Sequence, residues 1–261
     1  MAAGFASRGY LMMKADIGQL LSANPYPGRG IMLGLGEDGG RSILIYFIMG
    51  RSANSRNRIF ERTSDGIRTK ALDPTLMTDP SLVIYHPVRI YNGYTIVTNG
   101  DQTDTIREYL SSGLDFRSAL MTREFEPDAP NYTPRISGLL RGDGTYCLSI
   151  LKTDGGAPAS CCRFFYEYQA ATPGLGHFLS TYKTDGDPLP SFEGEPIAVD
   201  ISVAGGLEAF ALSVWNALND ENKVSLYARE TMVATGESCD IIINKYGVTD
   251  KWLPENGGWP P

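Results

Sequence analysis

The sequence predicts a single layered α+β domain over residues 1–261. Two observations carry this prediction. Many short strand patterns alternate with a few helical ones, which is typical of an antiparallel sheet with helices on its outer side. One strand, Ser42–Met49, is apolar on both of its faces and therefore needs cover on both sides. Hydrophobic residues make up 42% of the chain and charged residues 20%, which suffices for a sizeable core.

In the first half, the spacing of Ile17, Leu20 and Leu21 predicts a short helix at 15–22. The dipeptide Asn92-Gly93 predicts a type I′ hairpin between its flanking strands. Asp115 is suited to cap a helix that starts at Phe116. The predicted strands are 31–35, 42–49, 81–91 and 94–98, and the predicted helices after them are 103–112 and 116–124.

In the second half, strand patterns dominate and one helical pattern interrupts them. Two polar or glycine-rich segments, 155–160 and 184–196, are predicted loops or insertions, and the tail 254–261 is predicted to be irregular. The predicted strands are 135–140, 146–152, 162–168, 178–183, 224–229 and 240–245, and the predicted helix is 207–218.

Composition excludes several classes of function. A net charge of −7 argues against general nucleic-acid binding, which needs a basic face. The four cysteines form no CxxC pair and only two histidines are present, so we expect no metal site and reduced thiols. No window approaches the ~18 apolar residues of a membrane span, and the first residues lack a secretory apolar core. We therefore expect a cytoplasmic protein without a membrane partner.

An arginine-rich turn at residues 50–58 is the most informative motif. Its guanidinium groups, mixed with short hydroxyl and amide side chains, suit the binding of a phosphate group. A solvated basic loop is the alternative, but the turn directly follows the buried strand. The residues concerned are Arg51, Ser52, Asn54, Arg56, Asn57 and Arg58.

Three further clusters accompany this turn. The segment 98–104 offers Asn99 and Thr103 near a helix start, where backbone N–H groups favour anions, although it could serve only as a helix cap. The segment 124–136 combines carboxylates with an arginine, a pattern suited to acid–base chemistry if it is buried and otherwise a solvated loop. The segment 25–30 places Arg29 between glycines that permit close approach.

Taken in order, these clusters resemble the archaeal-type IMP cyclohydrolase family. The second half of the chain matches more loosely, and its predicted insertions account for the greater length. The matching segments are Tyr26-Pro27-Gly28-Arg29-Gly30, Gly50-Arg51-Ser52 through Asn57-Arg58, Tyr85, Tyr91-Asn92, Val97-Thr98-Asn99-Gly100 with Thr103-Asp104, and Asn131-Tyr132-Thr133-Pro134-Arg135-Ile136.

The resemblance implies a four-layer αββα sandwich, the fold of N-terminal-nucleophile hydrolases. It also implies closure of the purine ring of 5-formamidoimidazole-4-carboxamide ribotide to IMP with loss of water, without a metal or organic cofactor. A terminal nucleophile is not expected, because the sequence starts Met1-Ala2-Ala3. The resemblance further hints at a homo-oligomer. The alternatives are a homologue that binds a purine ribotide without turnover, and a hydrolase of another amide.

The same resemblance assigns roles to residues. Tyr85 and Glu126 are the expected proton-transfer pair, with Glu126 preferred to Glu124, and Arg56 is expected to act with them. For Tyr85 the alternative is a packed core tyrosine, and for Arg29 it is a structural ion pair. The expected substrate-binding residues are Arg29, Arg51, Ser52, Asn54, Asn57, Arg58, Asn99, Gly100, Thr103, Asp104, Thr133 and Arg135.

Overall fold

A computed structural model of the chain describes residues 14–77, 80, 83–203, 205–246 and 249–252. The architecture is α+β, with two antiparallel sheets and a few helices. The helices are α1 (Ile17–Ser22), α2 (Ala53–Arg56), α3 (Gln102–Ser111), α4 (Phe116–Met121) and α5 (Gly206–Ala217). The strands are β1 (Arg29–Leu35), β2 (Arg41–Met49), β3 (Arg58–Thr63), β4 (Gly66–Ala71), β5 (Val88–Tyr91), β6 (Tyr94–Thr98), β7 (Arg135–Leu140), β8 (Tyr146–Asp154), β9 (Ala157–Tyr168), β10 (Leu175–Ser180), β11 (Ile197–Asp200), β12 (Lys223–Met232), β13 (Ser238–Asn244) and β14 (Asp250–Trp252).

The first sheet has the strand order β11-β10-β1-β2-β12-β13-β14. Its centre is β2, in which every residue from Ser42 to Met49 is buried. The prediction that this strand is covered on both of its faces, made from its continuous apolar run, is therefore confirmed. Tyr46 in β2 lies opposite Ile31 of β1 on one side and Tyr227 of β12 on the other.

The second sheet has the strand order β3-β4-β5-β6-β7-β8-β9. The predicted Asn92-Gly93 hairpin joins β5 to β6, and both residues have positive φ, 46° and 76°. These angles are those of a type I′ turn. The strand predicted at 81–91 is wrong in length, since β5 begins only at Val88.

Three apolar clusters show how the layers stack. One lies between the outer face of the first sheet and helices α1 and α5. The second fills the space between the two sheets. The third joins the outer face of the second sheet to α3 and α4. Each sheet thus has a helical layer on its outer face and the other sheet on its inner face.

Most of the remaining predicted elements are confirmed within a few residues, including the helix cap, where Asp115 accepts from Ser118 N at 2.6 Å. The loop predicted at 155–160 is wrong, because Gly155 and Gly156 make a tight turn and β9 begins at Ala157. The elements β3, β4, β11, β14 and α2 were not predicted from the sequence. The tail at 254–261 lies outside the described residues.

Within the described ranges, none of the helices has both the length and the apolarity that a membrane crossing requires. The four cysteines are free thiols. Among the same residues, no three His, Cys, Asp or Glu side chains are grouped as a metal site would require.

Candidate active site

Several polar side chains converge at the end of the sandwich where β1, β3 and β7 begin. Arg29 is the first residue of β1 and Arg58 the first of β3, so one arginine comes from each sheet. Glu126 lies in the segment between α4 and β7, and Tyr85 lies in the segment before β5. We call Arg29, Arg58, Tyr85 and Glu126 the central cluster.

Arg58 is the most unusual member of the central cluster. Arg58 is only 1% exposed, and its Nε donates a hydrogen bond to Ser55 O at 2.8 Å. Both Nη1 and Nη2 are buried and have no hydrogen-bond acceptor among the described residues. Burial, followed by the charge of Arg29, lowers the pKa of Arg58. A buried guanidinium with unused donors is costly unless something accepts from it, so this position suits an anionic or carbonyl oxygen of a ligand.

Arg29 carries the second unused donor, since its Nε is buried without an acceptor in the described part of the chain. Burial alone would lower the pKa of Arg29, but the charge of Glu126 opposes this effect and the pKa is raised overall. Arg29 therefore stays cationic. The glycine before it is required, because Gly28 has φ of 78° and a Cβ there would lie 2.5 Å from the Tyr182 ring.

Glu126 is a buried carboxyl group, only 3% exposed. Burial raises its pKa to about 7, although the charges of Arg29 and Arg135 act in the opposite direction. A carboxyl group with this pKa exchanges a proton readily at neutral pH. Its backbone is fixed by a hydrogen bond from Glu126 N to Thr133 O at 2.9 Å.

Tyr85 is 6% exposed, and its hydroxyl lies 3.0 Å from the hydroxyl of Tyr46. Tyr46 is fully buried in β2 and stacks on Phe60, with the ring centroids 5.7 Å apart. Burial, followed by the interaction with Tyr85, raises the pKa of Tyr46 well above its ordinary value. Tyr46 therefore keeps its proton throughout the physiological range.

A chain of three polar groups holds the segment that carries Glu126. Thr133 Oγ1 lies 2.5 Å from Asp128 Oδ2 and 2.6 Å from the hydroxyl of Tyr182. Thr133 N also donates to Asp128 Oδ1 at 2.6 Å. Because the carboxylate only accepts, the threonine hydroxyl donates to Asp128 and accepts from Tyr182. Burial raises the pKa of Tyr182 to about 12, which keeps this donor protonated.

Arg51 lies at the rim of this end of the molecule. Its guanidinium carbon is 5.2 Å from the centroid of the Tyr26 ring, and Tyr26 in turn stacks on Tyr182. Arg51 Nη1 donates to Asp185 Oδ1 at 2.7 Å, with both side chains substantially exposed. Exposed ion pairs of this kind are weak, so Arg51 can exchange Asp185 for a ligand anion at little cost.

The rest of the arginine-rich turn is occupied by local structure. Arg56 donates from Nε to Gly50 O and from Nη2 to Asn222 Oδ1, both at 2.9 Å. Asn57 exchanges hydrogen bonds with the backbone of Asp73. Ser52 caps α2, while Asn54 Oδ1 is buried without a partner among the described residues. The proposed role of Arg56 in catalysis stays a prediction.

The segment before α3 is also internally bonded. Asn99 donates to Pro134 O at 2.8 Å and accepts from Ile136 N at 2.9 Å, so it ties β6 to β7. The Thr103 hydroxyl bonds with Thr98 and with the carbonyl of Gly100. Asp104 pairs with Arg89 at 2.5 Å. These contacts fit the alternative in which the segment serves only to begin and cap the helix. Direct ligand binding by these residues stays a prediction.

Arg135 lies between this segment and the central cluster. It is 6% exposed and pairs with Asp101 at 2.8 Å and with Gln102 Oε1 at 2.7 Å. A Cβ on Gly100 would lie 2.3 Å from Arg135 Nη1, so Gly100 gives the guanidinium its space. Arg135 thus acts on Glu126 through its charge, while its Nη1 is engaged by Asp101 and Gln102.

Sequence reasoning missed Tyr46, Tyr182 and Asp128. Tyr46 lies within an apolar strand, where a tyrosine gives no signal of its own. Tyr182 is distant in sequence and is brought in by the β1–β10 pairing. Asp128 was part of the acidic segment but carried no individual signal.

A groove of about 430 Å³ is lined in part by Pro130, Asn131 and Tyr132, which belong to the segment that carries Glu126. Its one cationic lining residue is Lys152, whose Nζ already donates to Phe192 O at 2.6 Å. The groove therefore offers a phosphate a single cationic side chain, and the ammonium group of that side chain already makes one hydrogen bond.

Comparisons with known proteins show the family of the chain. The family model described as "IMP cyclohydrolase-like protein" matches residues 26–245. The chain is 30% identical over 190 residues to a protein of Methanopyrus kandleri named IMP cyclohydrolase, covering 64% of this chain and 89% of that relative. It is 33% identical over 119 residues to the Halobacterium salinarum protein of the same name, covering 44% of this chain and 60% of the relative. A Methanococcus maripaludis protein of that name is 31% identical over 134 residues, covering 49% of this chain and 65% of the relative.

The fold and site define an α+β protein with a buried carboxyl group and a buried tyrosine near two arginines that have unused donors. The chain belongs to the IMP cyclohydrolase-like protein family. The match with the Halobacterium and Methanococcus relatives spans less than two thirds of their length.

Proposed function

We propose that this chain is an IMP cyclohydrolase, which closes the purine ring of 5-formamidoimidazole-4-carboxamide ribotide to IMP and releases water. The observation that carries the proposal is the central cluster. It holds a carboxyl group with a pKa of about 7 beside two arginines with unused buried donors. The relatives named IMP cyclohydrolase in three archaea support the same activity.

In the first step, the carboxamide nitrogen attacks the formyl carbon of the same molecule. Glu126 in its carboxylate form takes one proton from that nitrogen as the C–N bond forms. Tyr85 gives its phenol proton to the formyl oxygen, which becomes a hydroxyl group. Arg58 and Arg29 stabilise the negative charge that builds up on this oxygen during the attack.

In the second step, the new hydroxyl group leaves as water. Glu126 returns its proton to the leaving oxygen, and the Tyr85 phenolate takes the proton from the former formamide nitrogen as the C=N bond forms. Both residues are thereby restored. Because the two reacting groups belong to one molecule, the protein mainly has to hold the reactive rotamer and move protons.

The two arginine environments set the orientation of the ribotide. The reacting end lies at Arg58, where a dry site strengthens a hydrogen bond to a polarised oxygen. The phosphate lies at the rim with Arg51, whose guanidinium is partly exposed and whose pairing with Asp185 is easily exchanged. A phosphate dianion keeps part of its hydration there, which the buried position would not permit.

We extend the proposal to the fold and the setting. The two stacked sheets with helical layers outside them support a sandwich of the N-terminal-nucleophile hydrolase kind, built as one domain. Proton transfer through side chains alone supports a reaction without a metal or organic cofactor. Purine biosynthesis places such an enzyme in the cytoplasm.

The test is to supply purified protein with the formamido ribotide and to follow the ultraviolet absorbance of the closed purine ring. We expect a rise in absorbance and IMP as the product by chromatography. Absence of turnover, with clear ribotide binding by calorimetry, would replace this proposal with a binding homologue. Release of formate or ammonia instead of IMP would point to a hydrolase of another amide.

A further inference from the structure

We propose that Tyr46 is a positioning residue that donates its phenol proton to Tyr85 Oη, so that the proton of Tyr85 is left to face the substrate. This inference rests on the proposed cyclohydrolase function. It adds to the site a residue from the core of the first sheet that makes no substrate contact of its own.

The fold fixes Tyr46 rigidly behind Tyr85. Tyr46 is 0% exposed, stacks on Phe60 and lies in the middle of β2 with a paired strand on either side. Its hydroxyl reaches out of this core to Tyr85, 3.0 Å away. A buried side chain held by packing on all sides gives its hydrogen bond a fixed direction.

The direction of the hydrogen bond follows from the neighbouring charges. Arg29 from β1 and Arg58 from β3 face the tyrosine pair, and both influence the titration of Tyr46. Guanidinium groups only donate, so the Tyr46 proton finds no acceptor in them. The Tyr85 oxygen is the remaining acceptor that the described contacts provide. The Tyr46 proton therefore points to Tyr85, and the Tyr85 proton points away from Tyr46.

This direction has a chemical consequence. When Tyr85 gives its proton to the formyl oxygen, the resulting phenolate accepts a short hydrogen bond from Tyr46. Hydrogen bonds to a charged acceptor are stronger than those to a neutral one, so Tyr46 stabilises Tyr85 more after proton transfer than before. Tyr46 thus favours the proton transfer from Tyr85 to the formyl oxygen, in addition to holding the Tyr85 hydroxyl in its orientation.

The chain supplies a closely matched control. Tyr227 lies directly opposite Tyr46 in the neighbouring strand, is equally buried, and donates to Asp240 at 3.1 Å instead of to Tyr85. The variants Tyr46→Phe and Tyr227→Phe each remove one buried hydroxyl oxygen from the same layer of the core. A loss that comes only from removing a buried hydrogen bond should appear in both.

The experiment measures kcat, KM, the pH profile of kcat and the thermal midpoint for both variants. We expect Tyr46→Phe to lower kcat by about tenfold, with KM within about twofold, since one hydrogen bond to a charged group is lost. The alkaline limb of its kcat profile should move to higher pH, because the phenolate form of Tyr85 has lost its donor. Tyr227→Phe should leave both kcat and the profile unchanged.

A second substitution works in the opposite direction and preserves the packing. Replacing Tyr46 with 3-fluorotyrosine makes the phenol a stronger donor and should move the alkaline limb to lower pH. If the limb stays in place for both the Tyr46 substitutions while the wild-type enzyme forms IMP, the positioning role is wrong and the cyclohydrolase function stands. If the wild-type enzyme forms no IMP, the function itself fails.

Discussion

Two regions between the sheets bury arginines beside a tyrosine, and they differ in how the charge is balanced. In the first, which we call the paired cluster, Asp240 binds Arg62 and Arg229, and accepts from Tyr227. In the second, the central cluster, Arg58 and Arg29 form no ion pair among the described residues, although buried donor atoms without a partner occur in both regions. The same residue types are therefore neutralised by an ion pair in one place, and in the other they carry the binding role that we propose.

The difference teaches how to separate a structural buried charge from a functional one. The two charges of a buried ion pair lose their hydration, and their mutual attraction offsets part of that cost. Removing one partner leaves the other charge buried and unpaired. An unpaired buried arginine has no such compensation in the free protein. The free-energy cost of burying its charge is offset only when a ligand binds. Arrangements that destabilise the free protein in this way are common at functional sites.

The largest contrast should come from replacing one arginine in each cluster. Arg58→Met should lower kcat/KM by about 10²–10³-fold, since a donor to the charge of the transition state is lost. Its stability should stay equal or rise, because a buried cation with unused donors is removed. Enzyme assays and urea unfolding of the same preparations provide both measurements.

Arg229→Met should do the opposite. It leaves Asp240 without one of its partners and should lower the free energy of unfolding by about 3 kcal/mol, with kcat/KM unchanged for the folded fraction. If both variants lose stability and keep their activity, the central cluster is merely a second structural cluster.

The next contrast compares two buried carboxyl groups. Burial raises the pKa of both Glu126 and Glu230, but only Glu126 belongs to the central cluster. Glu126→Gln should lower kcat by about 10²-fold or more with a smaller change in KM, because the amide cannot take the proton. Glu230→Gln should keep wild-type kcat. Equal losses in kcat and affinity for Glu126→Gln would argue against proton transfer.

A smaller effect concerns pH and stability. The pKa of Glu126 is about 7 in the folded chain and near its ordinary value of 4.5 when unfolded. The folded state therefore binds the proton more tightly, and stability falls as pH rises from 4.5 to about 7. The expected loss is about 3 kcal/mol, with a plateau above this range.

Urea titrations across this pH range should show the loss in the wild type and not in Glu126→Gln. The acid limb of kcat/KM should lie near the same pH, because the carboxylate form is the base. An identical pH dependence of unfolding in the two proteins would mean that Glu126 does not titrate in this way.

The sequence predicted the hairpin, the doubly covered strand and most helices because each has a strong local signal. It missed β3 and β4, whose outward faces carry Glu61, Arg68 and Lys70 and so weaken the apolar pattern. The edge strand β11 is only four residues long. Short or charged strands are recognised only once their pairing partners are known.

The site was predictable as a set of segments but not as an arrangement. The arginine-rich turn contains Arg58 of the central cluster, yet spacing alone could not separate Arg58, which the fold buries, from Arg56, which bonds to Asn222. Tyr46 and Tyr182 enter the site only through strand pairing in the first sheet. Contacts of this kind depend on the tertiary fold and leave no local pattern.

The most direct test of the central claim is a crystal structure of the protein with IMP bound. The account predicts the purine ring between Glu126 and Tyr85, with Arg58 donating to the ring end that reacts and the phosphate beside Arg51 at the rim. A phosphate bound by Arg58, or IMP bound in the groove beside Lys152, would contradict it.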